Sequence, residues 1–186
     1  MNKKLVKDIM LPLSEYAVVG EDATLSEALQ ALEDAQMNLP KDRQHNRAVL
    51  VKNKKGKIIG KLGHLGFLKA LEPKYNSLGN VEQLSRAGVN LEFLEMMMDN
   101  LRFWQDDLNI IYQRARSVRI RDVMKPTTEN ISENSTLAEA IHHIIMWQVL
   151  SMLVTRDDEV VGILRLSDLF EEVSLFIREP NATQDQ

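Results

Sequence analysis

The segment Gly162-Ile163-Leu164-Arg165-Leu166-Ser167-Asp168 carries the side chains best suited to hold a ligand. An apolar run, Val160 to Leu164, reads as a strand, and Ser167 to about Phe176 reads as a helix. The junction therefore presents the free N–H groups of a helix start with a carboxylate just inside it. Such a terminus favours anions through those N–H groups and its dipole. A carboxylate placed there can accept both hydroxyls of a ribose. The same position also suits an aspartate that only caps the helix, and the sequence leaves these two roles open. Elsewhere no catalytic constellation is visible: there is no GxSxG, Walker A loop, HExxH or GxGxxG. His142 and His143 are adjacent, so on a helix they point about 100° apart and read as helix-surface histidines rather than a metal pair. His45 and His64 read as structural or solvated. The lysine-rich turn Lys52 to Lys57 has an acidic counterpart later in the chain, so a solvated turn is the simpler reading.

The elements that position this segment come from a repeat. Val6-Lys7-Asp8-Ile9-Met10 returns as Ile120-Arg121-Asp122-Val123-Met124, and Thr24-Leu25-Ser26-Glu27-Ala28 as Thr136-Leu137-Ala138-Glu139-Ala140. Val49-Leu50-Val51 matches Met152-Leu153-Val154, and Ile58-Ile59-Gly60 matches Val160-Val161-Gly162. The offset falls in order from 114 to 112, 103 and 102, so the first copy carries an extra stretch near Met37 to Asn46. Each copy begins with a short basic helical turn. A short strand follows, expected at Tyr16–Val19 and Glu129–Ile131, and then an amphipathic helix, Leu25–Gln36 or Leu137–Trp147. Thr24 with Glu27 and Thr136 with Glu139 have capping-box spacing. Two apolar strands joined by a polar turn come next, then a closing helix at Leu65–Leu71 or Ser167–Phe176. The unit is β-α-β-β-α, too small for a deep core, and would bury its open sheet face against its twin.

Residues 73–117 belong to neither copy. Pro73 to Asn80 read as a loop, Val81 to Ala87 as a short helix, and Asn90 as the cap of a long helix to about Arg116. Leu94, Met97, Leu101, Trp104, Leu108, Ile111 and Ala115 are spaced alternately by three and four, as in a coiled-coil seam. The seam suits a dimer or partner contact, or packing on the chain's own domain, and both stay open. Met96 to Met98 read as adaptable packing.

Composition narrows the rest. The 186 residues include 44% hydrophobic and 27% charged side chains, a globular balance. A net charge of −4 argues against nucleic-acid binding by bulk charge. No apolar stretch approaches the ~18–20 residues that span a bilayer, and the basic start Met1-Asn2-Lys3-Lys4 lacks a following apolar region. The absence of cysteine removes disulfides, thiol catalysis and cysteine-ligated metals. A soluble cytoplasmic protein, with no nucleic-acid or membrane partner, is the expectation. The tail Glu179 to Gln186 is polar and is expected to be disordered.

The duplicated Asp-Ile-Met and Asp-Val-Met starts, the Thr-Leu-x-Glu-Ala helices and the Val161–Leu169 segment resemble the CBS domain in its tandem, or Bateman, form. The resemblance implies an α+β fold of two β-α-β-β-α repeats packed as a pseudo-symmetric pair, with repeats at residues 1–72 and 118–178, a helical insert at 73–117 and a tail at 179–186. It implies a non-catalytic regulatory module that binds an adenosine-containing ligand, in the class of AMP, ADP, ATP or S-adenosylmethionine, with no required cofactor. A homodimer or a partner in another chain would receive the signal. In the family pattern Gly-x-x-Thr/Ser-x-x-Asp the hydroxyl touches phosphate and the aspartate binds ribose. Gly162 and Asp168 match, while Arg165 replaces the hydroxyl residue and keeps a phosphate-compatible group. By the same resemblance Thr128, Ile131 and Met152 would wall the base, and Ile163 is a further ligand-binding residue. The first copy has Gly63 and Gly66 at the two gripping positions, so at most one good nucleotide site per chain is expected. The alternative is a ligand-free dimerisation or interaction scaffold with degenerate sites.

Overall fold

The computed structural model describes residues 4–40, 44–78 and 90–178; the expected helix at Val81–Ala87 and the tail lie outside them. The strands are β1 (Leu11–Pro12), β2 (Val18–Gly20), β3 (Ala48–Lys52), β4 (Ile58–Gly63), β5 (Lys125–Pro126), β6 (Asn130–Ser132), β7 (Ser151–Arg156) and β8 (Glu159–Arg165). The described α-helices are α1 (Leu25–Met37), α2 (His64–Leu71), α3 (Leu91–Leu101), α4 (Leu108–Ser117), α5 (Leu137–Trp147) and α6 (Leu166–Arg178). The architecture is α+β, with two four-stranded sheets ordered β2-β3-β4-β5 and β1-β8-β7-β6. The short opening strands start later than the sequence suggests, at Val18 and Asn130; ahead of Val18 the chain curls into a 3₁₀ turn at Leu13–Glu15.

Both capping boxes form: Thr24 and Thr136 accept from the Glu27 and Glu139 amides, and those glutamates accept from the threonine N–H groups. The carboxyls of Glu27 and Glu139 are held below the ordinary value of 4.5 by these backbone hydrogen bonds. The acidic hairpin between β7 and β8 is a two-residue turn with Asp157 and Asp158 both at positive φ, 47° and 66°, which matches the twist of the flanking strands.

Each sheet borrows a strand. The segment leading into the first repeat forms β1, which pairs antiparallel with β8 of the second repeat (Leu11 opposite Ile163). The segment leading into the second repeat forms β5, which pairs with β4 of the first (Lys61 opposite Lys125). Val6 is accordingly buried in the core of the second repeat and Ile120 in that of the first. Two glycines make the crossings possible. A Cβ on Gly162 would lie 2.6 Å from the Leu11 carbonyl oxygen and 3.0 Å from Met10 Sδ. A Cβ on Gly60 would lie 2.8 Å from the Lys125 carbonyl oxygen and 2.7 Å from Met124 Sδ. The duplicated methionine and glycine are thus one contact, made twice across the repeats.

Three buried layers result. α1 and α2 cover the outer face of the first sheet, and α5 and α6 that of the second. Between the sheets lie Leu11, Tyr16, Leu39, Leu50, Ile58, Leu153 and Ile163.

The expected single helix from Asn90 to Arg116 is in fact two, α3 and α4, separated by Arg102 and Trp104 in the left-handed region (φ 46° and 57°). Tertiary bonds hold the break open. Glu72, 2% exposed, accepts the Trp104 amide at 2.8 Å, and Lys74 Nζ donates to the Arg102 carbonyl at 3.0 Å. Phe103 stacks on Tyr75, ring centroids 4.4 Å apart. Asp107 then caps α4, which packs on α1 and α2 with Ala115 against the first core. The heptad register therefore does not run through as one seam. Leu108 is 81% exposed, and the Leu94 and Met97 side chains lie outside those described. Among the described residues no helix is long and apolar enough to cross a membrane.

Candidate functional site

Strand register sets up the site. Ser151 of β7 stands opposite Arg165 of β8, and Leu153 opposite both Ile163 and, across the parallel pair, Asn130 of β6. Side chains alternate along a strand and directly paired residues share a face. Ser151, Leu153, Asn130, Ile163 and Arg165 therefore face the first repeat. Ile131, Met152, Val154 and Leu164 face the helices.

At the end of β8, Arg165 and Asp168 hold each other. Arg165 Nε donates to Asp168 Oδ2 at 2.7 Å and Nη2 to Oδ1 at 2.6 Å, a two-pronged pair with residues 5% and 8% exposed. The third nitrogen of the guanidinium crosses to the first repeat. Nη1 donates to the Gln44 carbonyl at 2.8 Å and to Asn46 Oδ1 at 2.9 Å. Asn46 is itself fixed by Gln36, whose Oε1 accepts the Asn46 amide at 2.9 Å. The Arg165 bond requires the oxygen of the Asn46 side chain on that side, which leaves Nδ2, a buried donor, with no partner among the described residues. Tyr16 lies within the field of both charges; burial pushes its hydroxyl from 10.0 up to about 12, with Arg165 opposing the shift and Asp168, more weakly, adding to it.

The other cation on this face belongs to β4. Lys61 stands opposite Leu50, so it points between the sheets, and its Nζ reaches the second repeat. It donates to the Ser151 carbonyl at 3.0 Å and to Ser151 Oγ at 3.3 Å. Burial lowers its pKa below the usual lysine value, with Glu129 opposing that shift and Lys125 adding to it. Beside this point, along the edge strand, Thr128, Glu129, Asn130 and Trp147 line an open hollow of about 490 Å³. Trp147 stacks on His143 with centroids 4.4 Å apart, and this histidine is half-buried, its Nδ1 without a hydrogen-bond partner among the described residues. Among the described residues no cluster of three or more histidine, aspartate or glutamate side chains could hold a metal ion.

Two sheets related by a repeat, with exchanged strands and a shared polar junction, are matched by sequence as well. The CBS domain pattern fits residues 6–72 and again 120–175. The chain belongs to the CBS domain family. It is a tandem CBS pair, and solved CBS structures share its fold along nearly all its length. The crystal structure of CBSX2 in complex with AMP is 15% identical, with a TM-score of 0.55, over 94% of this chain and 98% of that one. The CBS domain of a CBS domain-containing membrane protein from Sphaerobacter thermophilus is 17% identical, with a TM-score of 0.61, over 92% and 88%. The CBS domain of a bacterial CNNM/CorC family Mg²⁺ transporter, solved with ATP, is 14% identical, with a TM-score of 0.57, over 93% and 89%. No curated protein matches the chain by sequence.

Of the six residues expected to form the site of this CBS pair, Arg165 and Asp168 come together, and Ile163 lies on the same face, buried between the sheets. Thr128 lies at the hollow, two strands away from Arg165 across the sheet. Ile131 and Met152 are corrected in direction. Their side chains are 3% and 0% exposed in the core under α5 and α6, so only their backbone faces the junction. Tyr16, Asn46, Lys61 and Trp147 were not foreseen. Lys61 does leave a signal, because it is a charge at the strand position where the second copy has Ile163. In the first copy Gly63 and Gly66 open α2 with no side chain able to grip a ligand.

Proposed function

We propose that this CBS pair is a non-catalytic regulatory module that takes one adenosine-containing ligand per chain at the junction of its repeats. The observation that carries the reading is the buried Arg165–Asp168–Asn46 cluster. Asp168 uses one bond per oxygen on Arg165, and a carboxylate has about four acceptor sites, so it retains capacity for a ribose diol. The orphaned Asn46 Nδ2 is a donor whose burial costs about 1–3 kcal/mol until something accepts from it. Asp168 is the ribose acceptor, and Arg165 with Thr128 flanks the ligand. Two proteins of the same fold, solved with AMP and with ATP, support this class of ligand.

The cluster also supplies a route for a signal. Arg165 ties Asp168 of one repeat to Gln44 and Asn46 of the other. A ligand that competes for Asp168 changes this bridge and thereby the relative setting of the repeats. It acts through its different affinity for the two arrangements, and the change passes to a partner chain or a second copy. Titration calorimetry with AMP and ATP tests the reading. Saturable binding near one per chain, weakened at least tenfold in Asp168→Ala, is expected. Equal heats for both proteins would refute it.

A second reading has its own observation. Arg165 already occupies both oxygens of Asp168, which suits a sealed, ligand-free scaffold. Purified protein that carries no nucleotide and ignores added ones, yet remains a stable assembly, would favour it.

A further inference from the structure

The two repeats join their first helix to the next strand differently. In the second repeat residues 148–150 lead from α5 to β7, whereas in the first residues 38–47 lead from α1 to β3. This longer connection is the extra stretch that the falling repeat offset places near Met37 to Asn46. A connection of this kind belongs on the surface. Three of its residues instead turn inward, onto the second repeat. Leu39 is buried between the sheets in one cluster with Tyr16, Leu153 and Ile163. Gln44 through its carbonyl and Asn46 through Oδ1 both accept from Arg165 Nη1. Gln36, in the last turn of α1, holds the backbone amide of Asn46. The guanidinium so held spends its other nitrogens on the two oxygens of Asp168. The result is a carboxylate buried too deeply for a group the size of a ribose to reach, and the open hollow beside it is lined by Thr128, Glu129, Asn130 and Trp147 instead. The closed arrangement also carries a cost of its own, since Asn46 Nδ2 is buried without an acceptor among the described residues.

We infer that the connection between α1 and β3 is an autoinhibitory plug, with Leu39 as its anchor and Gln44 and Asn46 as its latch on Arg165, so that a ligand reaches Asp168 only when the latch opens. This rests on the proposal that an adenosine-containing ligand binds at Asp168. The plug sets affinity without touching the ligand. Apparent affinity is the intrinsic affinity multiplied by the fraction of chains already open, so whatever loosens the latch tightens binding. Opening also frees the buried Asn46 donor. Because Gln36 links the latch to the end of α1, and α4 of the insert packs on α1, release of the latch reaches the insert through groups already in contact.

The experiment is calorimetry with AMP and with ATP on the full chain and two variants. Gln36→Met loosens the latch and keeps Leu39, Gln44, Asn46, Arg165 and Asp168 in place. In the second variant residues 38–47 are replaced by Gln-Val-Leu, the connection that the second repeat uses at residues 148–150. Gln36→Met is expected to bind about fivefold more tightly than wild type, and the shortened chain at least tenfold. Adding Asp168→Ala to either should abolish the gain. Binding by the shortened chain alone, lost on adding Asp168→Ala, also supports the plug, as a latch that stays shut in the wild type. Wild-type binding that depends on Asp168 but is no tighter in either variant overturns the plug and leaves the Asp168 reading intact. Should circular dichroism show the shortened chain unfolded, Gln36→Met decides alone: affinity equal to or below wild type overturns the plug. No binding of AMP or ATP by any of the proteins overturns both.

Discussion

Replacing Arg165 with methionine keeps most of the volume of the side chain and removes its charge and its donors. The consequence follows from where the partners lie. Asp168 would be left 8% exposed with the cation paired to it among the described residues gone, and Asn46 Oδ1 and the Gln44 carbonyl would lose the Arg165 donor. Breaking a buried pair by deleting one partner costs about 3–5 kcal/mol, because the remaining charge is uncompensated. With a urea dependence of about 2 kcal/mol per molar, the unfolding midpoint falls by about 1.5–2.5 M. Removing both partners behaves differently. Arg165→Met with Asp168→Leu removes both charges of this pair and is expected to recover most of the loss, to within about 1.5 kcal/mol of wild type. Equilibrium urea unfolding followed by circular dichroism measures all three proteins. A single variant within about 1 kcal/mol of wild type, or a double variant no better than the single, would refute the view that this pair is sealed from water.

Two further outcomes are expected. Tyr16, the phenol pushed from 10.0 to about 12, contributes stability that is complete below pH 10 and is lost as pH rises toward 12, about 3 kcal/mol in all; ultraviolet titration should find one tyrosine that ionises late, and Tyr16→Phe should abolish that part of the alkaline loss. Gly162→Ala forces a Cβ to within 2.6 Å of the Leu11 carbonyl oxygen, so β1 must detach or shift; protection of the β1 and β8 amides against hydrogen exchange should fall, and unchanged protection would show that the crossing tolerates a side chain.

What could be read from the residues alone was local or duplicated. The helix starts at Thr24 and Thr136 follow from a hydroxyl and a glutamate at fixed spacing, and they form as the spacing dictates. Asp168 was legible as a carboxylate at a helix start, but its partner was not. The bond to Arg165 spans only three residues, yet it depends on Asn46 and Gln44 closing from another repeat. The exchanged strands escape a sequence reading for a plain reason. Leu11–Pro12 and Lys125–Pro126 are two residues each, too short to show a period of two, and nothing in them names a pairing partner. The break between α3 and α4 escapes for another. Its seven apolar positions fit a heptad, but Glu72 and Lys74, which are bonded to Trp104 and Arg102, lie outside the helix. Ile131 and Met152 were misdirected because a strand's two faces look alike when both are apolar; only register separates the core side from the junction side.

The exchanged strands have a consequence for how such a molecule can be divided or have arisen. Cutting the chain between its halves does not yield two independent modules, because each half carries the strand that completes the other. Two fragments separated within residues 73–117 would fold only together, as complements in one tube. A chain holding a single half would satisfy its sheet edge by trading leading segments with another molecule like itself. Duplication followed by fusion would turn that intermolecular trade into an internal one.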